Sequence, residues 1–131
     1  METITVRTGS RVEFIEISGQ VRQWLRNQTT TSGVLTLYVP HTTAGITINE
    51  HADPDVVRDL TMELNKVIPF DDNYRHLEGN AAAHIKSSLI GASAQVIVEN
   101  GDLVLGTWQG IFFAEFDGPR TRKVHLKLTP S

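Results

Sequence analysis

IFFAEFDGPRTRKVHLKL, residues 111–128, contains two strands and the turn between them. In Ile111–Phe116 apolar side chains fall on both faces, the mark of a strand covered on two sides. Leu105 and Trp108 lead into this run, and in so small a domain another subunit could supply the second cover. Asp117-Gly118-Pro119 then breaks it. Beyond the turn, Val124, Leu126 and Leu128 alternate with polar residues, which predicts a half-buried strand. Arg120, Arg122, Lys123, His125 and Lys127 are expected on its wet side.

Working outward, Ala94, Val96 and Val98 alternate ahead of Asn100-Gly101, the strongest hairpin signal in the chain, and Leu103 to Leu105 follows it. Near the start, Ile4 and Val6, then Val12 and Phe14, suggest two strands joined at Gly9-Ser10. Leu35, Leu37 and Val39 share a face up to Pro40, and Ile46 and Ile48 mark a further strand. Three helices fit between. Ser18 can cap one that buries Val21, Trp24 and Leu25. Asp53-Pro54 starts a second along Val56, Leu60, Leu64 and Val67, stopped by Pro69. Gly79-Asn80 could cap a third that ends at Gly91. About eight strands joined mostly by short turns, with two to three helices, predict an α+β fold. Its core is expected to be a mixed, mainly antiparallel β-sandwich forming one domain over residues 1–131.

A formal net charge of −3 leaves no basic face for phosphate backbones, so no nucleic-acid partner is expected. The absence of cysteine excludes disulfides, thiolate nucleophiles and Cys-type zinc sites. METITVRTGS lacks a charged-then-apolar signal layout and no apolar run reaches membrane length. A cytoplasmic chain with no membrane partner is expected.

Chemistry concentrates around three of the five histidines. His41 follows Pro40 at a strand end, where its ring can leave the core or be satisfied by turn hydrogen bonds. His76 and His84 bracket HLEGNAAAH, residues 76–84, with His84 in the first turns of the third helix. If the three meet, they form the open-sided pattern of a catalytic divalent metal such as zinc. Glu50 and Glu78, each within a few residues of a candidate histidine, are placed for acid–base work. Asp53 and Asp55 have a sufficient structural reason at a helix start. Gly79 and Asn80 offer a phosphate a close approach to a helix N-terminus, with simple capping as the alternative, and Arg120 could add a fixed positive charge. His51 and His125 are poorer candidates.

Across nearly the whole chain, HTTAGITINE, ADPDVVRDL, HLEGNAAAHIKSSLIG and GDLVLGTWQGIFFAEFDGPR resemble the YjbQ-like family. LVLGTWQ (103–109) and EFDGPR (115–120) carry most of the specificity. The resemblance implies an α+β sandwich, a homotrimer with the pocket near subunit contacts, and secondary thiamine-phosphate synthase activity. That reaction joins hydroxymethylpyrimidine diphosphate to thiazole phosphate and releases pyrophosphate. On this reading His41, His76 and His84 hold a metal, zinc or magnesium, with Glu50, Glu78 and His84 catalytic. Gly79, Asn80 and Arg120 would bind the phosphorylated substrate. The chain departs from the pattern at His51, where the family has asparagine. Magnesium suits a diphosphate leaving group, whereas a histidine cluster suits zinc. Two other functions therefore stand beside the first: a metal-dependent hydrolase of a small phosphorylated compound, and a trimeric binding protein without turnover.

Overall fold

Strand β7 (Gln109–Glu115) is the hub of the computed structural model, which describes residues 1–131. It lies between β2 (Glu13–Glu16) and β4 (Ala44–Glu50) in a three-stranded sheet. A five-stranded sheet in the order β1-β8-β3-β5-β6 faces it. Those strands are β1 (Glu2–Arg7), β3 (Gly33–Tyr38), β5 (Ser93–Glu99), β6 (Asp102–Leu103) and β8 (Thr121–Pro130). Every pairing is antiparallel.

The alternation of side chains along β7 builds two cores. Ile111 and Phe113 point between the sheets and join Leu35, Leu37, Val96, Val124 and Leu126. Phe112 and Ala114 point the other way and join Phe14, Ala83 and Phe116. That second face is covered by the chain's own helices α2 (Pro54–Val67) and α3 (Ala81–Ile90), not by another subunit. Helix α1 (Ser18–Arg26) closes one end of the main core with Val21 and Leu25. The result is a sandwich with a helical third layer, the α+β class expected.

Local signals did not always act as expected. Asn100 and Gly101, at φ 51° and 76°, make the hairpin between β5 and β6. The other two turns read from the sequence are corners between sheets. β1 pairs with β8 and β2 with β7, so the Gly9-Ser10 turn carries the chain across the core. The Asp117-Gly118-Pro119 turn does the same between β7 and β8. Ser18 does not cap α1; its Oγ accepts the Ile111 backbone N–H at 2.8 Å. Asp53 does cap α2, accepting the Asp55 N–H at 2.9 Å. No helix is long and apolar enough to cross a membrane.

Helix α3 sits on β4 because Gly45 lacks a side chain. A Cβ there would stand 2.6 Å from the Gly91 carbonyl oxygen, which already accepts the Ile46 N–H at 3.0 Å. Gly45→Ala is expected to lose about 1–3 kcal/mol through this clash. A urea melt within error of the wild type would show that α3 is not seated this tightly.

Candidate functional site

His41 leaves the sheet just after Pro40, and its ring orientation is set by the backbone. Its Nε2 accepts the Lys123 N–H at 2.9 Å, so the neutral ring must carry its proton on Nδ1. Burial, and then the Arg122 guanidinium, lower its pKa below the usual histidine value. Ring titration followed by NMR should therefore show protonation only below pH 6.5, with Nε2 unprotonated above that. A midpoint at or above 6.5 would overturn the assignment.

The sequence Ala81–Ile90 places His84 on the outer face of α3, because Ala82, Ala83, Lys86 and Ser87 take the buried face. His84 borders two open clefts. One, of about 320 Å³, is shared with His41, Thr42, Ser87 and Ser88. The other, of about 380 Å³, is shared with Tyr74, Arg75 and His76. The His76 and His84 rings meet edge to face, with centroids 5.2 Å apart at 83°. His76 Nε2 lies 3.7 Å from Glu78 Oε2, a loose pair in water. The three imidazoles thus line one continuous strip, with His84 in the middle.

Asn80 and Arg120 converge through a third residue. Asn80 Nδ2 donates to Asp117 Oδ2 at 2.9 Å, and Arg120 Nη2 donates to the same oxygen at 3.0 Å. Arg120 Nε also reaches the Asp117 carbonyl at 2.8 Å. Asn80 consequently gives α3 no side-chain cap, and its Oδ1 is buried without a partner. Gly79, at φ 82°, presents open space where a side chain would be. Glu50 is not brought to this place. It stands at the far end of β4, on the order of 20 Å from the His41 end by strand rise. There its carboxylate accepts the Ala52 N–H at 2.9 Å. His51 lies at the same far end, paired with Glu16 at 2.9 Å.

The chain matches the family model described as UPF0047 protein YjbQ-like over residues 2–131. It is 54% identical to the UPF0047 protein YugU of Bacillus subtilis over 129 residues, covering 98% of each chain. A UPF0047 protein of Methanocaldococcus jannaschii is 50% identical, over 94% of this chain and 89% of that one. The chain belongs to the YjbQ-like UPF0047 family. Among solved structures, a family protein from Clostridium acetobutylicum superposes with a TM-score of 0.96 at 50% identity. That match covers 98% of this chain and 100% of the other.

For the YjbQ-like resemblance the metal is the hardest implication to seat. No three of the chain's His, Asp and Glu residues stand close enough together to hold an ion. His41 Nε2 is already occupied by a backbone N–H. A single chain therefore offers the zinc or magnesium expected at His41, His76 and His84 no complete ligand set.

A buried ion pair beneath the strip escaped the sequence reading. Arg122 is not on the wet side of β8: it shares the phase of Val124 and Leu126 and is only 3% exposed. Its guanidinium donates to both oxygens of Glu115, which is fully buried, and to Thr43 Oγ1 at 2.8 Å. Thr8 and the Phe116 and Asp117 N–H groups complete the carboxylate's partners. Burial pushes the Glu115 carboxyl up, but hydrogen bonds from Arg122 and Thr8 outweigh it and hold the pKa below the usual carboxylate value. The pair braces the strip twice, gripping Thr43 directly and fixing β8, whose Lys123 holds His41. A parity count from Val124 back to Arg122 would have found it, as would the lone charge in an apolar run at Glu115.

Proposed function

We propose that the chain is a thiamine-phosphate synthase-type transferase, with that reaction as a secondary activity, using the strip from His41 through His84 to Arg120. Membership of the YjbQ-like family supports this reading. The observation that carries it is the convergence of Asn80 and Arg120 on Asp117, at the start of the helix that carries His84. A guanidinium held by the Asp117 carbonyl and carboxylate is oriented before any phosphate arrives.

In the reaction the thiazole nitrogen attacks the methylene carbon of hydroxymethylpyrimidine diphosphate. A carbon–nitrogen bond forms, the carbon–oxygen bond breaks, and pyrophosphate leaves with the electron pair. Arg120 stabilises the charge gathering on that leaving group. His84 hands it a proton, which solvent returns through His76, whose protonated ring the Glu78 carboxylate stabilises. The Gly79–Asn80 corner admits the phosphate to the start of α3. His41, neutral with Nδ1–H outward from Lys123, supplies a donor on the other side of His84. No step passes through a metal, and Glu50 has no part in it.

Expression in a strain lacking its own thiamine-phosphate synthase tests the reading. Rescue is expected from the wild type, with at least about a hundredfold lower turnover from His84→Ala, the scale of lost acid–base help. Failure of the wild type to rescue or to release pyrophosphate would sink the activity. Equal rescue by His84→Ala would sink the residue roles.

A homotrimer fits a second, apolar surface. Helix α2 is amphipathic, yet none of its residues is fully buried. Val56, Leu60, Leu64 and Val67 with Leu89 of α3 line an apolar groove of about 440 Å³. Apolar surface of this kind favours self-association. Sedimentation should give three times the monomer mass, and a monomer at micromolar concentration would remove the trimer.

A further inference from the structure

The side chain of Lys86 is fully buried, and its Nζ has no hydrogen-bond partner. It stands 3.7 Å from the centroid of the Phe70 ring. Arg11 stands over the same ring at 3.6 Å. Two cations at those heights can only take opposite faces, since on one face their atoms would overlap. Phe70 is therefore held between two positive charges about 7 Å apart. Neither charge has a carboxylate. Arg11 makes one side-chain hydrogen bond, to the Gly79 carbonyl at 3.3 Å, and no ion pair in the chain involves Arg11 or Lys86.

Buried charges are ordinarily paired, because an ammonium out of water costs several kcal/mol unless something compensates it. A ring face offers only about 1–2 kcal/mol of that. The separation of the charges indicates what is missing. With nitrogens about 2.8 Å from phosphate oxygens, an arginine and a lysine flanking one phosphoryl group lie about 7–8 Å apart. Phe70 itself belongs to residues 69–80, which link α2 to α3 without regular secondary structure. Little backbone hydrogen bonding must be broken for it to swing out. The Lys86 pKa, lowered to about 8 by burial and by Arg11, agrees with an ammonium that has found no anion.

We propose that the gap between Arg11 and Lys86 is a phosphoryl-binding site, and that Phe70 is the plug that fills it when no anion is bound. This site adjoins the Asn80–Asp117–Arg120 cluster through Arg11, which donates to the Gly79 carbonyl and accepts the Gly118 N–H on its own carbonyl, but it uses a different cation, Lys86 on the buried face of α3. It stands whether or not the transferase reading holds, since its readouts are binding and stability and not turnover.

Inorganic phosphate binding to the full chain, followed by calorimetry, is the first test. Phe70→Ala should bind phosphate at least tenfold more tightly than the wild type. Adding Lys86→Met to that variant should return the affinity to the wild-type level or below. No tightening, or tight binding that survives Lys86→Met, overturns the proposal. A second pair serves even if the alanine variant does not fold. Phe70→Glu places a carboxylate between the two cations, and Phe70→Gln has the same shape without charge. Glu is expected to melt at a higher temperature than Gln at pH 7. The reverse order, or equality, means that the ring only packs and there is no anion site.

Discussion

Arg122→Met is expected to cost about 3–5 kcal/mol, the scale for removing one partner of a buried ion pair. The loss comes from Glu115, fully buried, which would keep a negative charge in the core with only Thr8 and two backbone N–H groups to hold it. Two consequences separate this from a simple packing defect. The Glu115 carboxyl should titrate higher in the variant, so its stability should improve on acidification relative to the wild type. Adding Glu115→Gln to Arg122→Met should recover part of the loss, because no uncompensated charge then remains. Urea melts of the two single variants and the double variant measure this directly. A cost below about 1 kcal/mol for Arg122→Met would mean that solvent reaches the pair. Because Arg122 also grips Thr43, and its neighbour Lys123 fixes His41, the His41 ring resonance should shift in the same variant.

Lys86 gives the second large effect, with the opposite sign. Its folded-state pKa of about 8 lies below the ordinary 10.5, so burial of the ammonium is a penalty present in full below pH 8. Between pH 8 and 10.5 the folded chain has released this proton and the unfolded chain still holds it. Unfolding then takes up a proton, and stability rises with pH. The gap between the two values bounds the rise at roughly 3 kcal/mol, and solvent screening near the 69–80 segment reduces it to about 1–2 kcal/mol. Lys86→Met should be more stable than the wild type at pH 7, and the advantage should shrink by pH 10. A constant difference across that range would place the ammonium in water.

The His76–His84 contact was legible because HLEGNAAAH keeps the two rings within one turn-and-helix unit. Asp53-Pro54 and Asn100-Gly101 were legible for the same reason: each signal is satisfied by its immediate neighbours. Glu50 misled because closeness in sequence to His41 means distance in space once the segment between is an extended strand. Asn80 and Arg120 meet through Asp117, 37 residues from the first of them, and no spacing rule reports such a contact.

The amino-acid order fixed the period of each strand, the Asp53 cap of α2, the breaks that end the helices, the absence of thiol chemistry and the family. Those properties depend on side chains only a few residues apart, where covalent geometry leaves little choice. Tertiary structure alone decided which turns are hairpins and which are corners, that β7 is covered by its own helices, and that Arg122 lies inside. It also decided that Lys86 has an aromatic ring where a counter-ion would stand. Each of these rests on burial, and burial is a property of the packed whole: a charge becomes costly only when distant segments close around it and exclude water.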